Sequence, residues 1–127
     1  MAAVGGSIRE LSLQGRNFAV LADNDVSRKI GGSENSVEAN GDGTGRLIKN
    51  QMPFNLDGVS VACDDSRGDQ EFVQDIADSN DFVTGTITYA DGSVWQGNVQ
   101  VVGEIVHSNA NASLTFSLSG NGRLIQQ

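Results

Sequence analysis

The stretch Asn40-Gly41-Asp42-Gly43-Thr44-Gly45 is the first place where residue types and spacing could do chemistry. Oxygen-bearing side chains at alternate positions, followed by a glycine, are typical of calcium-binding loops. The position where such a loop needs a bidentate glutamate holds Gln51, and one carboxylate gives too little charge for tight binding. A glycine-rich hairpin tip therefore explains this stretch better than a calcium site does.

The tripeptide Arg67-Gly68-Asp69 could mediate adhesion if it lay in an exposed loop of a secreted protein. The N-terminal residues show neither the basic nor the apolar region of a signal peptide, so a structural role is favoured. Ser66 and Asp69 resemble a helix capping box, and an acid suits the positive end of a helix dipole. Asp23-Asn24-Asp25 could also hold a cation, but these residue types are typical of turns.

The remaining reactive side chains form no catalytic pattern. His107 is the only histidine and is interpreted as a polar residue at a strand end. Cys63, the only cysteine, continues the apolar alternation of Val59 and Val61, so it is predicted to be a small buried side chain. The sequence contains no phosphate loop, dinucleotide fingerprint or zinc spacing. It therefore predicts no enzyme, no metal site and no cofactor.

Composition narrows the possible partners. Sixteen acidic and eight basic residues give a formal charge of −8, which disfavours binding to nucleic acid phosphates. Aromatic residues make up 6% of the chain, too few for a base-stacking platform. No apolar run approaches the roughly 20 residues that span a bilayer.

Alternating apolar residues interrupted by Gly, Asn and Asp predict many strands. The predicted strands cover residues 8–13, 18–22, 54–63, 82–89, 93–106, 114–118 and 123–126. At Asp57-Gly58 the alternation shifts by one residue, which predicts a β-bulge.

Asp91-Gly92 is typical of a two-residue hairpin turn. Such a turn would place Tyr89 opposite Val94 and Thr88 opposite Trp95. Trp95 would then lie on a face rich in threonine and glycine, packed either within the domain or against another subunit.

One segment has helical periodicity. Phe72, Val73, Ile76 and Ala77 form a single apolar stripe, which predicts a core-facing helix over about residues 68–79. The segment Ser79-Asn80-Asp81 is predicted to end it.

Residues 31–52 are polar and rich in glycine, and they predict a protruding hairpin arm with its tip near residues 40–45. Such an arm suits contact with a neighbouring molecule. The residues predicted to make contacts between subunits or rings are Glu34, Asn35, Asn40, Asp42, Thr44, Arg46, Lys49 and Trp95. The predicted fold class is mainly β: an antiparallel β-sandwich or barrel-like domain with one short flanking helix near residues 68–79.

Seven stretches share an order and spacing with one known family. They are Phe18-Ala19-Val20, Ala22-Asp23-Asn24-Asp25-Val26-Ser27-Arg28-Lys29, Gly31-Gly32-Ser33-Glu34-Asn35, Asn40-Gly41-Asp42-Gly43-Thr44, Arg67-Gly68-Asp69-Gln70-Glu71-Phe72, Tyr89-Ala90-Asp91-Gly92-Ser93-Val94-Trp95-Gln96-Gly97 and Phe116-Ser117-Leu118-Ser119-Gly120-Asn121-Gly122. Together they resemble a tail tube protein of contractile-tailed bacteriophages, a family related to bacteriocin and type VI secretion tube proteins. The resemblance spans nearly the whole chain, so residues 1–127 are interpreted as a single tail-tube-like domain.

The resemblance implies a structural virion protein. Hexameric rings would stack into the phage tail tube, which lies inside a contractile sheath and conducts DNA during ejection. The implied partners are further copies of the chain, the tail sheath protein, and the baseplate tube and tail terminator proteins. The tape measure protein and DNA would pass through the lumen without specific binding. The tail would be assembled in the host bacterial cytoplasm, without membrane contact.

Two alternatives remain open from the sequence. One lies within the same class: a baseplate tube initiator or a secretion-tube homologue. The other is a non-catalytic β-sandwich module that binds carbohydrate or calcium. For sugar stacking, Trp95 and Tyr89 would be the available aromatic residues.

Overall fold

A computed structural model describes residues 3–127. Within that range the chain forms ten strands and one helix. In chain order these are β1 (Glu10–Leu13), β2 (Arg16–Phe18), β3 (Ser27–Lys29), β4 (Gly32–Ala39), β5 (Gly45–Met52), β6 (Asn55–Ala62), α1 (Asp69–Asp78), β7 (Val83–Thr88), β8 (Val94–Ser108), β9 (Ser113–Gly120) and β10 (Ile125–Gln126).

Eight strands form one antiparallel sheet in the order β2-β1-β7-β8-β9-β6-β3, with β10 paired to the start of β8. The other two, β4 and β5, form a separate two-stranded sheet. The large sheet is open, because its edge strands β2 and β3 do not pair with each other. The prediction of a mainly antiparallel β domain with one flanking helix is confirmed.

The core lies on one face of the large sheet. Alternate residues of β9 (Leu114, Phe116 and Leu118) are buried there, because side chains along a strand point to opposite faces. Helix α1 covers part of this face with Val73 and Ile76, which are both buried. Phe72 and Ala77, the other residues of the apolar stripe, are half-buried against the same core.

The predicted β-bulge is present. The register between β6 and β9 shifts between Leu56 and Val59, and Gly58 has a φ of 78°, which favours glycine. Asn24 supports the bulge, since its Nδ2 donates to the Gly58 carbonyl at 2.9 Å and its Oδ1 accepts from the Ser60 N–H at 3.0 Å. The Asp23-Asn24-Asp25 segment therefore serves as a turn.

Several strand limits differ from the prediction. The strand predicted over residues 8–13 begins at Glu10, and the one predicted over 18–22 ends at Phe18. Beyond Phe18, Val20 makes an isolated bridge to Val61. The last predicted strand is only Ile125–Gln126.

The turn between β7 and β8 has three residues, not the predicted two. The Tyr89 N–H donates to the Ser93 carbonyl at 2.9 Å, and Asp91 accepts from both the N–H and the hydroxyl of Ser93. These bonds hold Asp91 in an Asx turn, which suits the longer loop. The predicted register is therefore wrong by one residue: Ile87 lies opposite Trp95, and Thr88 lies opposite Val94.

The predicted capping box is also wrong. The residue before α1 is Gly68 with a φ of 71°, and it makes no side-chain capping bond. Asp69 is buried, and its carboxylate accepts from Arg16 Nη1 at 3.2 Å and from the Asp64 N–H at 3.0 Å. A buried carboxylate needs such partners, so it secures the turn before the helix rather than the helix terminus. Ser66 donates instead to Asp64 at 2.6 Å. The predicted helix end holds, since Ser79 donates to the Ile76 carbonyl.

Candidate assembly surface

The predicted arm is a hairpin of β4 and β5 whose strands pair in unbroken register from Gly32 with Met52 to Ala39 with Gly45. Neither strand pairs with the large sheet among the described residues. Nearly all residues of the arm are exposed, which indicates that it projects from the body of the protein.

The tip of the arm, residues 40–44, is held by its own side chains. Asn40 Nδ2 donates to Thr44 Oγ1 at 2.8 Å, and Thr44 Oγ1 donates to Asp42 Oδ1 at 2.6 Å. Arg46 Nε donates to Asn40 Oδ1 at 2.8 Å. The hydroxyl and then the backbone N–H of Thr44 lower the pKa of Asp42 below its ordinary value. These mutual bonds are those of a turn, and they occupy the oxygen atoms that a calcium ion would need.

Two large apolar side chains are exposed on one face of the arm. Val37 and Leu47 are direct cross-strand partners, and they are 70% and 59% exposed. Cross-strand partners share a face of a hairpin. An exposed apolar pair on a projecting element is typical of a contact surface. The sequence did not predict this pair, because the overall polarity of the arm obscured the alternation of its two apolar side chains.

The predicted contact residues divide between the two faces and the tip. Asn35 and Lys49 are cross-strand partners on the Val37–Leu47 face, where Lys49 Nζ donates to Asn35 at 3.4 Å. Glu34 and Arg46 belong to the opposite face. Asn40, Asp42 and Thr44 form the tip. Trp95 lies on the body of the protein, in β8.

The base of the arm is packed tightly against the end of β9. The Phe54 N–H donates to the Gly122 carbonyl at 3.1 Å, and the Gly120 N–H donates to the Phe54 carbonyl at 2.9 Å. The Phe54 ring is fully buried and lies directly over Gly120, where any side chain would overlap it. A Cβ at Gly97 would lie 2.7 Å from the same ring. Phe54 thus anchors the arm to the sheet.

Trp95 and Tyr89 lie in a surface groove of about 420 Å³ and are both covered by Arg28. The Arg28 guanidinium carbon is 4.3 Å from the centre of the Trp95 ring and 4.8 Å from that of Tyr89. Both distances suit cation–π contacts. The corrected register places these two aromatic rings on one face, where they pack against the core.

The exposed side of α1 carries acids without bases. Glu71, Asp75 and Asp78 are exposed, and no basic residue lies in the last turn of the helix. The buried Asp69 instead pairs with Arg16, whose guanidinium also lies 4.5 Å from the centre of the Phe72 ring. The exposed acids of α1 therefore form a solvated surface.

The structure brings together three residues that lie apart in the sequence or show no motif there. Cys63, Asp65 and His107 place their sulfur, carboxylate oxygen and imidazole nitrogen atoms within 4.8 Å of one another. Burial, followed by the Asp65 charge, raises the pKa of the Cys63 thiol. The thiol is buried, as predicted, and a raised pKa is the opposite of what a nucleophilic cysteine needs.

The fold is that of the tube and tube-terminating proteins of contractile injection systems. A chain of the sheath/tube terminator of an extracellular contractile injection system (PVC) superposes with a TM-score of 0.70 at 13% identity, covering 100% of this chain and 97% of that chain. A chain of the anti-feeding prophage cap, a tube terminating cap, gives 0.64 at 12% identity, with 100% and 93% covered.

A chain of the PVC sheath-tube complex gives a TM-score of 0.62 at 14% identity, with 99% of this chain and 91% of that chain covered. At these identities the likeness is one of fold. The predicted resemblance to the tubes of contractile machines is confirmed at that level. No protein-family model and no curated protein matches the sequence. In the described part of the chain, no helix has the length and hydropathy that crossing a membrane requires.

Proposed function

We propose that this chain is a structural subunit of the tube of a contractile tail or injection machine. Hexameric rings of it stack end to end into a phage tail tube that conducts DNA inside a contractile sheath. The observation that carries the proposal is the fold match to chains of a tube terminator and of a sheath-tube complex, which covers at least 91% of each chain compared. A match that covers nearly all of both chains favours a similar structural role.

The arm is the element proposed to join one copy to the next. It projects from the body, is anchored by Phe54, and exposes the Val37–Leu47 pair. An apolar pair exposed in a free subunit is stabilised by burial against another copy. Asn35 and Lys49 on the same face, and the tip residues, supply the polar rim of this contact.

The charge of the chain suits a conduit. At −8 per chain, a ring repels phosphate, so DNA would slide through the bore rather than bind to it. The proposed partners are the sheath protein, the baseplate tube protein and the tail terminator, with the tape measure protein and DNA inside the lumen. The proposed location is the virion tail, assembled in the host cytoplasm.

A tube terminator is the second candidate. Two of the three superposed chains described above come from tube-terminating assemblies, and these have the higher TM-scores. A terminator would form single rings and cap a tube, whereas a tube subunit would propagate.

Two features weigh against a carbohydrate or calcium module. Arg28 covers both Trp95 and Tyr89, so neither ring face is free to stack on a sugar. The tip side chains that resemble a calcium loop bind each other. The raised pKa of the Cys63 thiol is evidence against a different class of protein, an enzyme with a cysteine nucleophile.

Negative-stain electron microscopy of the purified chain across a concentration series tests the proposal. Hollow tubes that lengthen with concentration are expected for a tube subunit, and single rings for a terminator. Monodisperse monomers that also fail to assemble on added baseplates or tube ends would refute both candidates.

The double variant Val37→Thr, Leu47→Thr tests the arm. Threonine keeps the preference for strand but removes the apolar contact. Normal folding with loss of stacking is expected. The matched variant Ile48→Thr changes the opposite face of the arm, so comparing the two shows which face docks.

A further inference from the structure

We propose that Cys63, Asp65 and His107 form a binding site for a divalent transition metal ion of the zinc type. Their potential ligand atoms lie within 4.8 Å of one another. The three come from separate places: Cys63 directly follows β6, Asp65 belongs to the turn before α1, and His107 lies near the end of β8.

The sheet register explains why Cys63 and His107 converge. Leu114 of β9 lies opposite both Val61 of β6 and His107 of β8, so these three side chains share the core face. Cys63 is two residues beyond Val61 and therefore points to that face as well. Its N–H donates to the Ala112 carbonyl at 2.9 Å, which fixes it beside the start of β9.

The turn from residue 64 to 68 fixes the backbone of the third ligand, Asp65. The Gly68 N–H donates to the Asp65 carbonyl at 3.1 Å, and the Ser66 N–H donates to the Asp64 carboxylate at 3.0 Å. Asp65 Oδ1 lies 3.9 Å from Cys63 Sγ. The carboxylate is exposed, so its side chain is free to rotate toward an ion.

The distances suit a tetrahedral ion. Metal–ligand bonds of about 2.0–2.3 Å place the ligand atoms roughly 3.3–3.6 Å apart. To reach this spacing, the ligand atoms must move about an ångström closer together, which rotation of the side chains can supply. Thiolate and imidazole prefer zinc, cobalt or copper to magnesium or calcium. The acidic surroundings, with Asp64 and Asp69 nearby, favour a cation of any kind, so the ligand types set the selectivity.

Neither neighbouring acid belongs to the cluster of candidate ligand atoms. Asp64 Oδ1 accepts from the N–H and hydroxyl of Ser66. Asp69 is buried and is bonded to Arg16 and to the Asp64 N–H. Among residues 3–127 the cluster therefore supplies three ligands, which leaves the fourth position of a tetrahedron for water.

A titration of Co²⁺ into the full chain, stripped with a chelator and kept reduced, tests the proposal. Saturation at one ion per chain is expected, with a near-ultraviolet sulfur-to-cobalt charge-transfer band that Zn²⁺ abolishes and Mg²⁺ does not. Cys63→Ser should remove the band. His107→Gln and Asp65→Asn should keep the sulfur band but weaken binding by more than about tenfold, the lower end of what even outer-shell partners contribute.

Asp75→Asn is the matched control, because it neutralises an exposed acid of α1 that is not part of the cluster. Its cobalt affinity should equal that of the unaltered chain. Circular dichroism in the presence of chelator checks that each variant folds. If Cys63→Ser does not fold, His107→Gln still tests the site, because it should weaken cobalt binding while keeping the sulfur band. Absence of the sulfur band at saturating cobalt would overturn the proposal. So would a band whose midpoint neither His107→Gln nor Asp65→Asn shifts, since that would show a thiol binding alone.

Discussion

Replacing Gly120 with alanine tests how the arm is anchored. The Phe54 ring lies on Gly120, so a methyl group there would overlap three ring atoms. The ring is fully buried and cannot move into solvent. Gly120 does not have a positive φ, so alanine fits its backbone and the clash is the only cost.

The magnitude follows from the packing. Overfilling a close-packed core costs about 1–3 kcal/mol, and complete loss of a buried phenylalanine costs about 3–5 kcal/mol. Alanine in place of glycine restricts the unfolded chain, which offsets about 0.4–1 kcal/mol. Because the overlap is severe and Gly97 blocks the ring from the next strand, we expect a net loss of about 2–3 kcal/mol.

Urea unfolding followed by the fluorescence of Trp95, the only tryptophan, measures this loss. With a slope of about 1–3 kcal/mol per molar urea, the midpoint should fall by roughly 1 M or more without a change in slope. Gly41→Ala is the matched control, since a Cβ there meets no atom within 4 Å. Its midpoint should not fall.

A second substitution separates the clash from other effects. Phe54→Leu makes room above Gly120, so the double variant should lose less stability than the sum of the two single variants. An unchanged midpoint for Gly120→Ala, or strict additivity in the double variant, would refute the anchoring role of the Phe54–Gly120 contact.

Three further predictions concern the tip, the helix and assembly. Thr44→Ala removes the hydroxyl that lowers the pKa of Asp42, so NMR titration should show that pKa rising toward 3.8. Because the pKa of Asp42 is lowered in the folded state, its contribution to the stability of the tip is complete above the ordinary value of 3.8 and should be lost as the pH falls from there through the lowered pKa. Phe72→Asp should lower the unfolding free energy by about 2–4 kcal/mol, because Phe72 packs on Phe18 at a ring separation of 6.1 Å and beneath Arg16; a normal urea midpoint would show that this contact is dispensable. Deleting residues 40–44 should leave the cooperative unfolding of the body in place but abolish stacking in electron micrographs, and tubes of normal length would contradict the role of the arm.

Local patterns predicted the features that depend on neighbouring residues. The one-residue shift in the apolar alternation at Asp57-Gly58 predicted the β-bulge, because side chains alternate strictly along a strand. The helical period of the apolar residues predicted α1, and the polar, glycine-rich composition of residues 31–52 predicted the arm.

Features that depend on a specific side-chain bond or on long-range topology could not be predicted. The Asx turn of Asp91 added one residue to the hairpin loop and moved Trp95 to the other face. Asp69 bonds to Arg16 instead of forming the predicted capping box with Ser66. Cys63 and His107 come together only because β9 lies between their strands, which no local spacing reveals.

Phe54 anchors the arm to residues that lie far along the chain from it, which affects the order of folding. The arm pairs nearby residues, and such hairpins form in about 1–10 μs, but an isolated two-stranded hairpin is only marginally stable. Its anchor needs Gly120 and Gly122, which are synthesised long after the arm. A nascent chain therefore carries an arm that forms and melts repeatedly, without a fixed angle to the body. We expect competence to join other copies to arise only once β9 and Gly122 are in place, so that translation itself delays polymerisation until the arm is anchored.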